Sequence, residues 1–170
     1  MRYDNHNVMT QKIKLYLDTS IPSAYFDFSK PMRQHVTEQW FLHESKNYRL
    51  YVSTVTIVEI NRLQNESKRD RIIALIDEYP LSLLEATNVS DRLANLYINQ
   101  GAIPASEPED AQHIAIASVN QIESLASWNF KHIVSINPIK KINQINASEG
   151  FGIIDIGSLE VFGGAKYGNL

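Results

Sequence analysis

The 170-residue chain contains no cysteine. Disulfides, thiolate metal sites and cysteine nucleophiles are excluded together, and a reducing cytoplasm is the natural setting. Glycine is scarce, with seven residues. None of them builds the glycine-rich strand-to-helix turn that cradles phosphates in P-loop and dinucleotide folds. No apolar run approaches the roughly 18–20 residues that span a bilayer. The polar stretch Met1 to Gln11 has no apolar h-region, so it does not read as a secretory signal. It reads as a disordered lead-in, with Met9 as a second candidate start. An excess of basic charge is missing too. The net charge of −3 argues against tight non-specific binding of nucleic acid. It does not argue against an enzyme whose acidic metal site lowers the total. Basic residues gather only locally, at Lys68-Arg69 with Arg71, at Lys131-His132 and at Lys140-Lys141. A solvated surface is the plain reading of each group alone.

What is present suits one ordinary domain. Hydrophobic residues make up 44% and charged residues 21%, enough for one sizeable core. Short apolar runs alternate with helical stretches and there is no repeat or linker, so the class is α/β with a mostly parallel sheet. Strands are expected at Ile13–Leu17, Tyr48–Val52, Leu81–Leu84, Ser124–Ala126 and Ile153–Ile156. Helices are expected at Met32–Lys46, from Ser53-Thr54 through Leu63, and at Lys68–Glu78, Ser90–Asn99 and Glu109–Asn120. Gly101 is a candidate left-handed stop for the fourth of these. The last helix is apolar nearly all round and should be deeply buried. Ile133–Ile145 reads as irregular or helical. The domain is expected to span residues 12–162, between the lead-in 1–11 and a flexible tail 163–170.

Three acidic residues stand out from separate segments. Asp18 follows the first strand, at the edge where open parallel sheets gather ligands; a helix-capping role is the alternative. Glu59 sits within the apolar Val55–Ile60 run. Burying an unpaired carboxylate costs several kcal/mol, so a buried Glu59 needs a cation; an exposed stripe shared with Arg62 or Thr56 is the alternative. Asp110 opens the buried helix, where favourable interaction with the helix dipole is the alternative. Glu107 and Glu109 are near enough in sequence to serve that purpose instead. His113, one turn after Asp110, reads as a packed or hydrogen-bonded core histidine without a catalytic role. Two carboxylates about 5 Å apart repel by about 3 kcal/mol at an effective dielectric of about 20. A divalent cation reverses that sign, and it can also activate water and shield a phosphate. Hard oxygen donors without cysteine or an evident histidine cluster favour Mg²⁺ or Mn²⁺ over Zn²⁺.

Leu17-Asp18-Thr19-Ser20, Val58-Glu59-Ile60, Glu109-Asp110-Ala111-Gln112-His113-Ile114-Ala115 and Ser127-Trp128-Asn129-Phe130-Lys131-His132 resemble the PIN domain, in particular VapC-type toxins of toxin–antitoxin pairs. The resemblance runs from about Lys14 to Glu160, and its last two motifs are the most specific in order and spacing. It implies a three-layer α/β/α sandwich and Mg²⁺-dependent cleavage of RNA. It maps the family's acidic residues onto Asp18, Glu59 and Asp110 as metal ligands. The fourth family position, often aspartate, is Asn129 here, which puts a second metal in question. Ser20 matches a small polar position that orients the first aspartate, with Thr19 as the fallback. Gly157-Ser158-Leu159-Glu160 replaces the subgroup's closing proline-containing segment. The resemblance also implies a homodimer and a small antitoxin partner that covers the acidic cleft with basic side chains. Trp40 and Phe41 are candidates for the dimer face, with core packing as the alternative.

Two other readings compete. A haloacid-dehalogenase-like phosphatase needs a second aspartate two residues after the first, and this chain has Ser20 there. A PIN-like binding module, acting through an antitoxin or RNA without strong catalysis, is favoured by Asn129 and opposed by retention of all three carboxylates.

Overall fold

A computed structural model describes residues 11–168. The lead-in, apart from Gln11, and the second candidate start at Met9 lie outside the described residues. The chain opens with β1 (Ile13–Leu17), α1 (Ser20–Ala24), α2 (Pro31–His43), β2 (Tyr48–Ser53), α3 (Thr54–Asn61) and α4 (Glu66–Glu78). It continues with β3 (Leu81–Leu84), α5 (Asn88–Asn99), α6 (Pro108–Val119), β4 (Ser124–Ala126), α7 (Ile136–Ser148) and β5 (Asp155–Gly157).

The five strands form one sheet in the order β3-β2-β1-β4-β5, and every neighbouring pair is parallel. Parallel neighbours need crossovers, and the helices supply them. Alternation along β1 then sorts the core into two layers. Leu15 and Leu17 point to a cluster with Ile21, Val36, Trp40, Phe41 and Leu75. Tyr16 points to the opposite cluster, with Leu93, Tyr97, Ile114, Ile116 and Ile145. The result is the three-layer α/β/α sandwich expected from the sequence. Trp40 and Phe41 are fully buried, so the core alternative holds for both.

Local chemistry explains the helix boundaries. The Ser53 and Thr56 side chains form a reciprocal capping box at the start of α3, which satisfies donors the first turn leaves free. Thr87 caps α5 in the same way. Gly101, with φ +71°, ends α5 in a conformation that side chains with a Cβ resist. The stretch read as irregular or helical, Ile133–Ile145, holds most of the regular helix α7, which runs on to Ser148. At the chain's end, Glu160–Gly164 is a kinked helical turn and Ala165–Tyr167 a 3₁₀ turn. The Trp40 indole N–H and the Tyr48 hydroxyl both donate to the Phe162 carbonyl, at 2.7 and 3.0 Å. Tyr167 and Lys166 reach Glu44 at 2.9 and 2.7 Å.

Strand order reverses at the centre of the sheet. From β1 the chain moves outward through β2 and β3, then returns to the other side of β1 with β4. A crevice therefore opens at the carboxyl ends of β1 and β4, the usual ligand position in open α/β sheets.

Candidate active site

Asp18 stands at that crevice, directly after β1, and is only 3% exposed. Its backbone N–H donates to the Ala126 carbonyl at 3.1 Å, which ties it to β4. Both carboxylate oxygens are engaged. Oδ1 accepts from the Ser20 backbone N–H at 3.0 Å and from the Ser20 hydroxyl. Oδ2 accepts from the Ser127 hydroxyl. Ser20 Oγ in turn accepts the Trp128 backbone N–H at 2.8 Å. Burial pushes the Asp18 pKa up, against the opposing influence of His113, Ser127 and Ser20.

Glu59 projects from the second turn of α3 and is partly buried. It accepts from the Thr19 hydroxyl and pairs through Oε2 with His113 Nε2 at 3.0 Å. The other ring nitrogen, Nδ1, lies 2.6 Å from the Tyr16 hydroxyl, which donates to Ser53 Oγ at 2.7 Å. Tyr16 and His113 are both buried. A rigid chain of side chains thus runs from β2 through β1 and α6 to the carboxylate on α3. Burial acts to raise the Glu59 pKa. The hydrogen bond to His113, its proximity, and the Thr19 and Arg62 contributions outweigh that effect and hold it below the ordinary glutamate range. Arg62 itself pairs with Glu109 at 2.7 Å across an exposed edge.

Asp110 lies in the first turn of α6, partly buried. Asn129, just beyond β4, donates its amide to Asp110 Oδ2 at 2.8 Å, while its own Oδ1 accepts the His132 backbone N–H at 3.1 Å. Burial pushes the Asp110 pKa up to about 6, and the charges of Asp18 and Glu107 add to that rise.

Each residue singled out in the sequence therefore reaches the same sheet edge. The Glu59 charge helps raise the Asp18 pKa, and the Asp18 charge helps raise that of Asp110. Among the described residues, however, the set of three ligand atoms lying within 4.8 Å of one another is Glu107, Asp110 and His132. His132 Nδ1 sits 3.4 Å from Asp110 and 3.7 Å from Glu107. It is buried without a hydrogen-bond partner. Two histidines thus join a site that the sequence reads as all oxygen. His113 carried a signal, since it falls on the same helix face as Asp110 one turn on. His132 was visible only as the end of a motif and in a basic pair, with nothing to mark it as a site residue, because a loop brings it back to the start of α6. Ser127 was visible only as part of a motif.

The family model for the PIN domain matches residues 15–129, which takes in Asp18, Glu59, Asp110 and Asn129. No curated protein matches by sequence. Among solved structures, the fold is similar to VapBC2 from Rickettsia felis, determined bound to a DNA fragment from its promoter. The TM-score there is 0.54 at 13% identity, over 86% of this chain and 98% of that one. It is also similar to VapC20 of Mycobacterium tuberculosis, described as a sarcin–ricin loop cleaving toxin. That match has a TM-score of 0.54 at 12% identity, over 84% of this chain and 99% of the other.

Proposed function

Because the chain belongs to the PIN domain family, we propose that it is a divalent-metal-dependent endoribonuclease of single-stranded RNA and the toxin of a toxin–antitoxin pair. One observation carries the reading. Carboxylates borne after β1 and on α3 and α6 are tied to the crevice at the topological switch point through Ser127, Thr19 and Asn129, and burial raises the pKa of Asp18 and Asp110, with neighbouring carboxylate charge adding to each. Such an arrangement is unfavourable alone and favourable around a cation.

The donor set fits a divalent metal. Asp18, Glu59 and Asp110 would hold Mg²⁺ or Mn²⁺, and the unpartnered His132 nitrogen beside Asp110 is a further donor that suits Mn²⁺ better than Mg²⁺. When bound, the ion supplies Lewis acidity toward a phosphate and lowers the pKa of its water. The chain's own residues do the positioning. Ser20 and Ser127 lock the Asp18 carboxylate, the role expected of Ser20. Thr19 braces Glu59 rather than Asp18. His113, fixed by Tyr16, aims Glu59. Asn129 orients Asp110 through its amide nitrogen and, being a neutral amide, adds no fourth negative charge for a second ion.

A homodimer, a small antitoxin with basic side chains and a cytoplasmic setting complete the proposal. The similarity of the fold to VapBC2 and VapC20 supports the partner. No described helix is long and apolar enough to cross a membrane.

The test is cleavage of a diverse RNA pool with Mg²⁺, Mn²⁺ or chelator. Asp18→Asn, Glu59→Gln and Asp110→Asn should each slow metal-dependent cleavage at least ~100-fold, about 2.7 kcal/mol of barrier. Wild-type protein that cleaves no RNA with either metal refutes the enzyme reading. A binding module of the same fold is the second reading, favoured by Asn129. Calorimetric titration of wild type and Asp18→Asn with Mn²⁺ separates them, since a degenerate site would take up no metal in either.

A further inference from the structure

Beside the carboxylates, the surface changes sign and character. Phe130, directly after Asn129, is 48% exposed, and Phe28, before α2, is 65% exposed. Among the exposed large hydrophobics of the described residues these two are the phenylalanines, and a lone exposed apolar side chain is ordinary; the cations beside them are what set them apart. Each sits near an arginine held against an aromatic ring. The Arg33 guanidinium lies 5.3 Å from the Trp128 ring centre, and Trp128 and Phe130 have their rings 6.1 Å apart. The Arg71 guanidinium lies 5.8 Å from Phe28 and 4.5 Å from Phe26. Lys30 lies between the two groups in the chain and lines, with Arg33, Trp128 and Phe130, a groove of about 390 Å³.

We infer that this face is a track for single-stranded RNA, on which Phe130 and Phe28 stack unpaired bases while Lys30, Arg33 and Arg71 meet phosphates. The inference rests on the ribonuclease reading and names how its substrate is held. Three observations support that occupant over a protein segment. The exposed aromatic surface is divided between two rings flanked by cations, the pattern that suits alternating bases and phosphates. In a chain of net charge −3 with a carboxylate-rich crevice, phosphate must be met locally, and the cations stand here. The groove also adjoins the site along the chain. Trp128 and Phe130 bracket Asn129, and the Trp128 backbone N–H joins the Ser20–Asp18 network at 2.8 Å. Glu160, which also lines the groove, confines a phosphate to the Lys30 and Arg33 side. A duplex hides base faces in its stack, so the track selects single strands.

The experiment measures binding of a fluorescein-labelled single-stranded RNA of about 12 nucleotides to the full chain carrying Asp110→Asn, in which cleavage is slowed, across a salt series with Mg²⁺. Phe130→Ala and Phe28→Ala should each weaken binding at least ~5-fold with the salt slope unchanged, the signature of lost stacking. Phe130→Trp should restore it. Arg33→Ala and Arg71→Ala should weaken binding and lower the salt slope by about one each. A blunt duplex of the same length should bind more weakly and ignore the phenylalanine changes. Both phenylalanines are exposed, so truncation leaves the core intact. Unchanged single-strand affinity in both Phe→Ala variants overturns the track, as does equal loss for duplex. If wild type cleaves RNA and Phe130→Ala and Phe28→Ala cleave with unchanged kcat/KM, the track is wrong while the ribonuclease reading stands. If those variants keep RNA affinity but lose a bound protein partner, the face belongs to that partner and the inference fails.

Discussion

At the residue scale, the site is a contest between burial and charge, and Asp110 decides its pH behaviour. Its pKa in the fold, about 6, lies above the ordinary aspartate value near 4. A raised folded pKa means the native state binds the proton more tightly. The associated stability is fully present below about pH 4 and is lost as pH rises through about 6. At neutral pH the charged Asp110 therefore costs the metal-free protein on the order of 1 kcal/mol after solvent screening. Asp110→Asn should accordingly match or exceed metal-free wild type in melting temperature at pH 7, with the advantage vanishing near pH 4. Added Mg²⁺ should raise the wild-type value and move the variant much less. If Asp110 served only the helix dipole, the variant would lose about 0.3–1 kcal/mol with or without metal. Thermal unfolding in EDTA and in excess Mg²⁺ distinguishes the two. His113 offers a second check. His113→Ala leaves Glu59 held by Thr19 alone and removes one of the two partners of the buried Tyr16 hydroxyl, which keeps Ser53. Affinity for Mn²⁺ should fall about 10- to 100-fold, and stability by about 1–3 kcal/mol, read by calorimetry and by urea titration.

At the element scale, what matters is how helices are docked so that their first turns arrive at one edge. Helices α5, α6 and α7 share a buried polar knot. The Tyr97 hydroxyl donates to Asn146 Oδ1, and Asn146 Nδ2 donates to Ser118 Oγ at 3.0 Å and to the Gly152 carbonyl at 3.2 Å. Asn146 is fully buried. Asn146→Ala removes three hydrogen bonds and leaves Tyr97 and Ser118 only each other, at 3.3 Å; it should cost about 1–3 kcal/mol, visible as a lower urea midpoint at unchanged m-value. The closing turn has its own constraint. A Cβ on Gly164 would stand 2.6 Å from the Leu159 carbonyl oxygen, nearer than real contacts allow. Gly164→Ala should push the Phe162 carbonyl off Trp40 and Tyr48 and destabilise by about 1–3 kcal/mol. A variant as stable as wild type would mean that the turn does not hold α2 against β2.

For the whole molecule, the acidic crevice and the cationic aromatic face lie side by side, and the net charge of −3 conceals both. The proposed homodimer must also use surface other than Trp40 and Phe41, which fill the core beneath α2. Light scattering at tens of micromolar should report twice the chain mass of 19.4 kDa; a monomer at that concentration refutes the dimer.

Periodicity and composition alone determined the α/β class, the five strands and the buried α6, because each rests on local patterns that one stretch of chain carries by itself. Asp18, Glu59, Asp110 and Asn129 were legible as separate residues, each beside a strand end or helix start. Only the tertiary structure decided what each one touches. Sheet order brought β1 and β4 together and turned Ser127 into a partner of Asp18, 109 positions away. Helix docking carried His113 onto Glu59, and the loop after β4 set His132 beside Asp110. Such contacts depend on distances between segments far apart in sequence, which no local pattern records. The same reason separates Trp40, whose apolar character fitted an interface or a core equally well, from Phe130, whose exposure appears only once the sheet edge is built.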